Sequence, residues 1–375
     1  MSKRAAEGDA DGSLETKITK RSSNVLGDKI SVSGCCAAPD LHVQASSLKS
    51  APDDASHGTK LLAETISDGD REYFASYSHL DIHRTMIEDE ARTQAYRRAI
   101  LTNYPLFRGK TVLDVGCGTG ILSVFCCQAG ARRVYAVEAS GAADFARQVA
   151  TENGYGDRVT VLHCRLEDAA LPERVDVIVS EWMGHALLYE SMLDSVLLAR
   201  DRWLRPDGAL FPERATLKVA LCTAPADEPA AFWRGVHDRY RVHMEVHSHA
   251  ATVAALDLRT TPAAAVRALR SGPLDLVSFG RARLTGLVLW FDVRFPGGLE
   301  LSTSPYSAET HWAQTVLPLA ARDVDQDWRA AGQLGLRQNG RQPRNWDFEG
   351  RPDAGGRGGA HRAPLGAGRR RGRAS

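Results

Sequence analysis

Short apolar runs alternate with stretches of helical periodicity in the middle of the chain. The run V-L-D-V from Val112 leads into G-C-G-T-G, which ends at Gly120, and further apolar runs begin at Arg133, Val159 and Val175. Near-continuous apolar strands that alternate with helices predict an α/β fold: a doubly wound, Rossmann-like parallel sheet with helices on both faces. Ligands bind to such sheets outside the carboxyl ends of the strands.

The pattern changes after Phe211-Pro212. The segments L-K-V-A-L from Leu217 and G-L-V-L-W-F-D-V-R-F from Gly286 favour β structure and predict a second domain. The aromatic residues of F-W-R-G-V-H-D-R-Y-R-V-H-M, Phe232 to Met244, recur at helical spacing. This segment is either an arm that packs on a partner or an internal core helix.

Both ends of the chain lack sustained periodicity. Ser, Ala, Asp and Lys dominate the first part, and Gly and Arg dominate the last. We therefore predict a disordered tail over 1–70, an α/β domain over 71–211, a β domain over 212–322 and a basic disordered tail over 323–375. The dipeptides Lys3-Arg4 and Lys20-Arg21 either belong to a nuclear-import signal or are solvated charge.

Composition bounds the function. The 375 residues are 43% hydrophobic and 25% charged, with a formal net charge of +1, which is typical of a globular protein and not of a uniformly basic nucleic-acid binder. Only weak nucleic-acid binding through the basic tail is expected. No apolar run is long enough to predict a membrane span, and the seven cysteines lack C-x-x-C spacing, so no metal site is expected.

The glycine turn indicates a nucleotide-type ligand. Gly116, Gly118 and Gly120 have G-x-G-x-G spacing, unlike the G-x-G-x-x-G of dinucleotide sites. Glu138 ends the next predicted strand, where a carboxylate can accept hydrogen bonds from both ribose hydroxyls. A ribose site without a pyrophosphate cradle indicates S-adenosylmethionine, the alternative being that Glu138 is merely exposed.

Two carboxylates flank a turn in S-E-W-M-G-H-A-L-L-Y-E, Ser180 to Glu190. Glu181 and Glu190 would repel one another unless a cation lies between them, and a guanidinium has the charge and planar donors to fill that position. Alternatively, the pair are solvated surface acids. Upstream, four residues recur at every third position on one predicted helical flank: His83, Met86, Asp89 and Arg92. Three of the four are polar, so we expect this flank to face a ligand or a partner.

In these residues the chain resembles the type I protein arginine methyltransferases. The matching motifs are Y-F-x-x-Y, H-x-x-M-I-x-D-x-x-R-T, V-L-D-V-G-C-G-T-G, Y-A-V-E-A-S, S-E-W-M-G with Glu190, S-T-S-P, and T-H-W at Thr310 to Trp312. The resemblance covers about Arg71 to Ala320, and the double-glutamate loop combined with T-H-W is its most specific part.

The resemblance implies S-adenosyl-L-methionine as the cofactor. Arg92 would bind the carboxylate of its methionine part, Glu138 its ribose, and Glu167 would contact adenine. The other cofactor-binding residues that it implies are His83, Met86, Asp114 beneath the turn, Gly116, Gly118 and Gly120.

On the substrate side, the resemblance implies that Glu181 and Glu190 grip the substrate arginine. Met86 and Met183 would pack beside the reacting methyl, with Tyr77 and Trp312 on the substrate side. His311 would pair with Asp89 and either order the site or accept a proton.

The implied activity is formation of mono- and asymmetric dimethylarginine in histone tails and other nuclear or Gly/Arg-rich proteins. A homodimer built through the Phe232–Met244 arm, a nuclear location with the cytoplasm as the alternative, and a β-barrel domain are also implied. His185 departs from the tyrosine usual in the family, and the match ends near Ala320. An incomplete barrel, and hence a weak or inactive homologue that only binds cofactor or chromatin, is therefore the alternative. A small-molecule methyltransferase is disfavoured by the two glutamates and T-H-W.

Overall fold

The computed structural model describes residues 68–224, 244–352 and 362–364. The predicted N-terminal tail up to residue 67, and the predicted arm up to residue 243, lie outside the described residues. Within these ranges no helix has both the length and the apolar character that crossing a membrane requires. The first described elements are four helices: α1 (Asp68–Ser76), α2 (Leu80–Glu88), α3 (Glu90–Thr102) and α4 (Tyr104–Phe107).

The predicted polar flank lies on two helices and not on one. The helical backbone breaks at Asp89, whose φ of −66° and ψ of 91° are extended. Its carboxylate accepts a hydrogen bond of 2.9 Å from the backbone N–H of Arg92, so Asp89 caps α3. The sequence prediction of a continuous flank is wrong here because the aspartate favours a helix start over continuation.

A five-stranded parallel sheet confirms the predicted α/β domain. Its strand order is β3-β2-β1-β4-β5; α-helices follow β1, β2 and β4, and a single 3₁₀ turn, Leu166–Asp168, lies between β3 and β4. The carboxyl ends of β1, β2 and β4 therefore bring the glycine turn, Glu138 and Glu181 to one rim. The elements of this domain are β1 (Thr111–Val115), α5 (Ile121–Gln128), β2 (Arg133–Glu138), α6 (Ala142–Glu152), β3 (Val159–His163), β4 (Val175–Val179), α7 (Leu193–Trp203) and β5 (Leu204–Phe211).

The second half of the chain forms two sheets that together make a barrel-like domain; their described pairings are antiparallel except that of β14 with β16, which is parallel. In the larger sheet the order is β12-β11-β6-β7, with β13 on β11 and β8 on β6. The smaller sheet is centred on β14, which pairs with β9, β10, β15 and β16. The elements are β6 (Arg214–Thr223), β7 (Glu245–Val246), β8 (Ala251–Asp257), α8 (Ala263–Val266), β9 (Ala268–Arg270), β10 (Leu274–Val277), β11 (Ala282–Arg294), β12 (Glu300–Ser302), β13 (Thr315–Val324), β14 (Arg329–Gln338), β15 (Trp346–Pro352) and β16 (Arg362–Pro364).

The predicted loss of order at residue 323 is wrong. Strands β14 and β15 form a hairpin, and Leu334, Leu336 and Trp346 bury their side chains in the main core. The incomplete barrel that the sequence predicted is therefore corrected: closing strands follow Ala320. Small residues such as Ala and Gly occupy many positions of β14, so its alternation is weak in the sequence.

Candidate active site

The glycine turn lies against the carboxylate of Glu138. Gly116, Gly118 and Gly120 all have positive φ, between 53° and 83°, which only glycine adopts without strain. The N–H of Gly118 donates to Glu138 Oε2 at 2.8 Å, and the N–H of Ser140 donates to Oε1 at 2.8 Å. Glu138 is buried, but each of its oxygens keeps a lone pair for a further donor.

Asp114 lies beneath the turn and joins the elements on its two sides. The Ser123 hydroxyl on α5 donates to Asp114 Oδ2 at 2.6 Å, while Oδ1 is buried and has no hydrogen-bond partner in the described part of the chain. Burial is the main cause that raises the pKa of Asp114 to about 7, and nearby Glu138 raises it further, against the hydrogen bonds from Ser123.

Arg92 pairs with the first glutamate of the loop. Its Nε and one terminal nitrogen donate to Glu181 Oε2 at 3.0 and 2.8 Å, and its other terminal nitrogen donates to the carbonyl of Met86 at 3.0 Å. Both side chains of the ion pair are more than 90% buried. These bonds use three of the five N–H groups of a guanidinium, so two remain for a ligand.

The N-terminal helices pack against the glycine turn through His83. Its Nε2 lies 2.7 Å from the carbonyl of Tyr77, and its ring is buried. A Cβ at Gly118 would lie 3.2 Å from the imidazole, so the turn and His83 are in close approach. The structure thus places His83 next to the predicted cofactor-binding residues.

The loop between the two glutamates folds back on itself. Glu181 Oε1 accepts the N–H of Met183 at 3.2 Å, and the backbone of Gly184 pairs with that of Leu187. The indole N–H of Trp312 donates to the carbonyl of Met183 at 2.7 Å. Trp312 is only 4% exposed, so in this structure it supports Met183. Its predicted contact with substrate stays a prediction.

Glu190, at the other end of the loop, is held by Tyr73 of α1 and by Tyr77, which directly follows α1. The Tyr77 hydroxyl donates to Glu190 Oε2 at 2.8 Å, and Tyr73 also hydrogen-bonds this carboxylate. Burial raises the pKa of Glu190; hydrogen bonds from Tyr77 and Tyr73 oppose this rise, and the charge of Glu181 adds to it. A cation between the two carboxylates would relieve this repulsion.

Asp89 and His311 form the predicted pair. The ring Nδ1 and the backbone N–H of His311 lie 2.7 and 2.9 Å from Asp89 Oδ2. Burial tends to raise the pKa of Asp89, but the hydrogen bonds from His311 and from the Arg92 N–H outweigh it, and the pKa falls below its ordinary value. Because the ionised carboxylate favours a proton on Nδ1, Nε2 of a neutral His311 is an acceptor.

The double-glutamate loop also contacts the T-H-W motif. His185 Nδ1 lies 3.1 Å from the carbonyl of Trp312. His185, which departs from the family pattern, therefore bonds to the backbone beside His311.

Two predicted positions are less central. Glu167 follows β3, is exposed and accepts a 2.8 Å hydrogen bond from the Ser195 hydroxyl on α7. Met86 is partly buried and contributes its carbonyl to Arg92. The contacts of both with adenine and methyl remain predictions.

Sequence reasoning missed two residues of this site. Tyr96 is fully buried and donates to the carbonyl of Ser180 at 2.9 Å, which fixes the start of the double-glutamate loop. Arg344, in the turn before β15, contacts Glu190 through its backbone and side chain. No local signal marks Arg344, because its partners lie more than 150 residues away.

Comparison with known proteins identifies the family to which the two domains belong. A model described as "Methyltransferase domain" matches residues 112–208, and one described as "Arginine methyltransferase oligomerization subdomain" matches residues 215–350. Protein arginine N-methyltransferase 6 of Xenopus laevis is 44% identical over 307 residues, which cover 74% of this chain and 90% of the relative. The chain belongs to the protein arginine N-methyltransferase family. The match to residue 350 also corrects the predicted end of the resemblance at Ala320.

Other proteins similar to this arginine methyltransferase have names or titles of the same family. The probable protein arginine N-methyltransferase 6 of Arabidopsis thaliana is 40% identical, covering 73% of this chain and 76% of the relative. A Trypanosoma brucei PRMT1 enzyme–prozyme heterotetrameric complex with AdoHcy is similar in structure, with a TM-score of 0.65 and 34% identity over 73% of this chain and 93% of the solved one. A PRMT6–SAH structure gives a TM-score of 0.59 and 25% identity over 72% and 99%.

The residues at the rim fit the cofactor of this family, S-adenosylmethionine. The open lone pairs of Glu138 suit ribose hydroxyls, and the two remaining N–H groups of Arg92 suit a carboxylate. The positive φ of Gly116 and Gly118 lets a ligand approach the main chain closely.

Proposed function

We propose that this methyltransferase forms mono- and asymmetric dimethylarginine on histone tails and other nuclear or Gly/Arg-rich proteins. The observation that carries the proposal is the pair of carboxylates at the rim: Glu181 is fixed by Arg92, and Glu190 by Tyr77. The product type, the histone substrates and the nuclear location rest on the type I resemblance of the motifs.

The two glutamates would bind the substrate guanidinium by accepting its N–H groups. A guanidinium with a pKa above about 12 is protonated and a poor nucleophile. Carboxylates at two of its nitrogens draw positive charge towards themselves and leave more lone-pair density on the third. Fixing that nitrogen in one direction supplies much of the remaining rate advantage.

When bound, S-adenosylmethionine supplies an electrophilic methyl on its sulfonium. The proton released by the guanidinium needs an acceptor, and His311 Nε2 is suited to this because Asp89 binds Nδ1 at 2.7 Å. Glu181 accepts a hydrogen bond from the N–H of Met183 and Trp312 donates one to its carbonyl, so the backbone of Met183 is fixed within the loop.

The test is methyl transfer from radiolabelled S-adenosylmethionine to a histone mixture by the full chain, followed by mass spectrometry of the modified residues. The proposal is supported if the wild-type protein forms asymmetric dimethylarginine and the Glu190→Gln variant does not. Symmetric dimethylarginine or methyl-lysine would contradict it. No transfer by a folded protein that binds S-adenosylhomocysteine would favour the alternative, an inactive homologue that binds cofactor or chromatin.

Homodimer formation is part of the same proposal. Its support is the match to the oligomerization subdomain over residues 215–350. Light scattering of the full chain is expected to give twice the 40.8 kDa mass of one chain. An active monomer would contradict it.

A further inference from the structure

The loop that carries Glu190 has a strained backbone that depends on contacts from outside the loop. Four non-glycine residues have positive φ: Ala186 (47°), Leu187 (72°), Glu190 (73°) and Ser191 (55°). Such a conformation is strained for a residue other than glycine and persists only where neighbours fix it. The contacts that fix Glu190 therefore decide where its carboxylate lies.

The turn between β14 and β15 supplies those contacts. The N–H of Glu190 donates to the carbonyl of Arg344 at 2.8 Å, and a terminal guanidinium nitrogen of Arg344 donates to the carbonyl of Glu190 at 2.9 Å. The Ser191 hydroxyl donates to the carbonyl of Pro343 at 2.6 Å and accepts the indole N–H of Trp346 at 3.1 Å. Arg344 thus forms hydrogen bonds with both the N–H and the carbonyl of Glu190.

The same guanidinium reaches helix α1. Its Nε donates to Asp70 Oδ1 at 2.8 Å, and a terminal nitrogen lies 2.6 Å from that oxygen. Its central carbon lies 3.7 Å from the centre of the Tyr73 ring, which is stacking distance for an arginine on an aromatic face. Tyr73 in turn packs 4.9 Å, centre to centre, from Tyr77.

These contacts form a closed network that includes Arg344, α1, Tyr77 and Glu190. Arg344 binds the backbone of Glu190 and, through Asp70, helix α1, which Tyr77 directly follows; the Tyr77 hydroxyl binds the carboxylate of Glu190 at 2.8 Å. A lysine could not replace it, because an ammonium lacks the planar fork that bonds two partners while stacking on a ring.

We infer that Arg344 is a positioning residue for methyl transfer, which sets the carboxylate of Glu190 against Tyr77 by joining the β14–β15 turn to α1 and to the double-glutamate loop. The inference rests on the proposed role of Glu190 in binding the substrate guanidinium. Arg344 acts through Glu190 and Tyr77.

Other residues, on the side of the glycine turn, hold the segment that directly follows α1. The Ser140 hydroxyl donates to the carbonyl of Tyr77 at 3.2 Å, His83 Nε2 lies 2.7 Å from it, and the Gly141 N–H donates to the Ser78 hydroxyl at 3.1 Å. Loss of Arg344 should therefore disturb the substrate side more than the cofactor side.

The test compares Arg344→Met, Arg344→Lys, Tyr77→Phe and the double variant Arg344→Met/Tyr77→Phe in the full chain. Arg341→Met, an exposed arginine of the same turn, is the matched control. We measure kcat and KM for an arginine-containing histone peptide, Kd for S-adenosylhomocysteine, and Tm. Arg344→Met should lower kcat by about ten- to a hundredfold, with Kd for S-adenosylhomocysteine within about threefold of wild type, and Arg344→Lys should recover little of the loss.

The double variant is the decisive measurement. If Arg344 acts through Tyr77 and Glu190, the double variant is no worse than the poorer single variant within about twofold. Multiplicative losses, or wild-type kcat in folded Arg344→Met, would overturn the inference. If Arg344→Met does not fold, Asp70→Asn replaces it in the same cycle, with a smaller loss of kcat expected and the same criterion applied. Failure of the proposed function is distinguishable, because wild type would then transfer no methyl group to arginine.

Discussion

The Tyr77 hydroxyl donates a 2.8 Å hydrogen bond to Glu190 Oε2 across 113 residues of sequence. This bond joins the residue that directly follows the first described helix to the end of the double-glutamate loop. Burial raises the pKa of Glu190, and the hydrogen bonds from Tyr77 and Tyr73 oppose this rise because they stabilise the ionised carboxylate. An ionised Glu190 favours binding of a cationic guanidinium.

Glu190→Gln should abolish methyl transfer and spare cofactor binding. The amide keeps the shape of the side chain but loses the charge that binds and polarises the guanidinium, so kcat should fall by at least about 10²-fold. Kd for S-adenosylhomocysteine should stay within about twofold, because Glu138, Arg92 and the glycine turn are unchanged. Exposed Glu300→Gln is the matched control, and unaltered turnover of Glu190→Gln would refute the role of Glu190.

Tyr77→Phe should move the acid limb of kcat/KM to higher pH. The Tyr77 hydrogen bond stabilises ionised Glu190 and lowers its pKa, so removing it raises that pKa further above the ordinary value. A hydrogen bond to a charged group predicts a shift of roughly one pH unit. Tyr104→Phe, at an exposed tyrosine, should leave the profile unchanged. A shift to lower pH would contradict the assignment.

Asp114→Asn should change how stability depends on pH. The pKa of Asp114 is about 7 in the folded protein and about 4 when unfolded, so the protonated acid favours the fold. That contribution is fully present below about pH 4 and is lost as pH rises to about 7. The stability of Asp114→Asn relative to wild type should therefore rise between pH 4 and 7 and then level off, as measured by urea unfolding. Asp144→Asn, on the surface of α6, should show no such trend.

Gly184→Ala should displace the double-glutamate loop. A Cβ at Gly184 would lie 2.1 Å from the carbonyl oxygen of Tyr189, so the backbone must shift. A shift of about 1 Å in the loop predicts a loss of roughly 10²-fold in kcat. Gly69→Ala, where a Cβ meets nothing within 4 Å, should keep full activity. Equal activity of both variants would show that the loop tolerates the shift.

Local patterns placed the glycine turn, Glu138 and Glu181 correctly at one rim of the sheet. Each lies at the carboxyl end of a strand of strong apolar character, and parallel strands bring these ends together. The roles of these residues in binding stay predictions. The break at Asp89 was missed because a capping aspartate and a mid-helix aspartate have the same spacing. Strand β14 was missed because its Ala and Gly residues give little alternation.

The sequence by itself determined the α/β sheet, the nucleotide-type rim and the two acidic residues, because strand and helix periods and turn residues act over a few neighbours. Only the tertiary structure decided the partners of these acids: Arg92 for Glu181, and Tyr77 and Arg344 for Glu190. Those contacts span 89 to 154 residues and form only when the N-terminal helix, the sheet rim and the β14–β15 turn pack together.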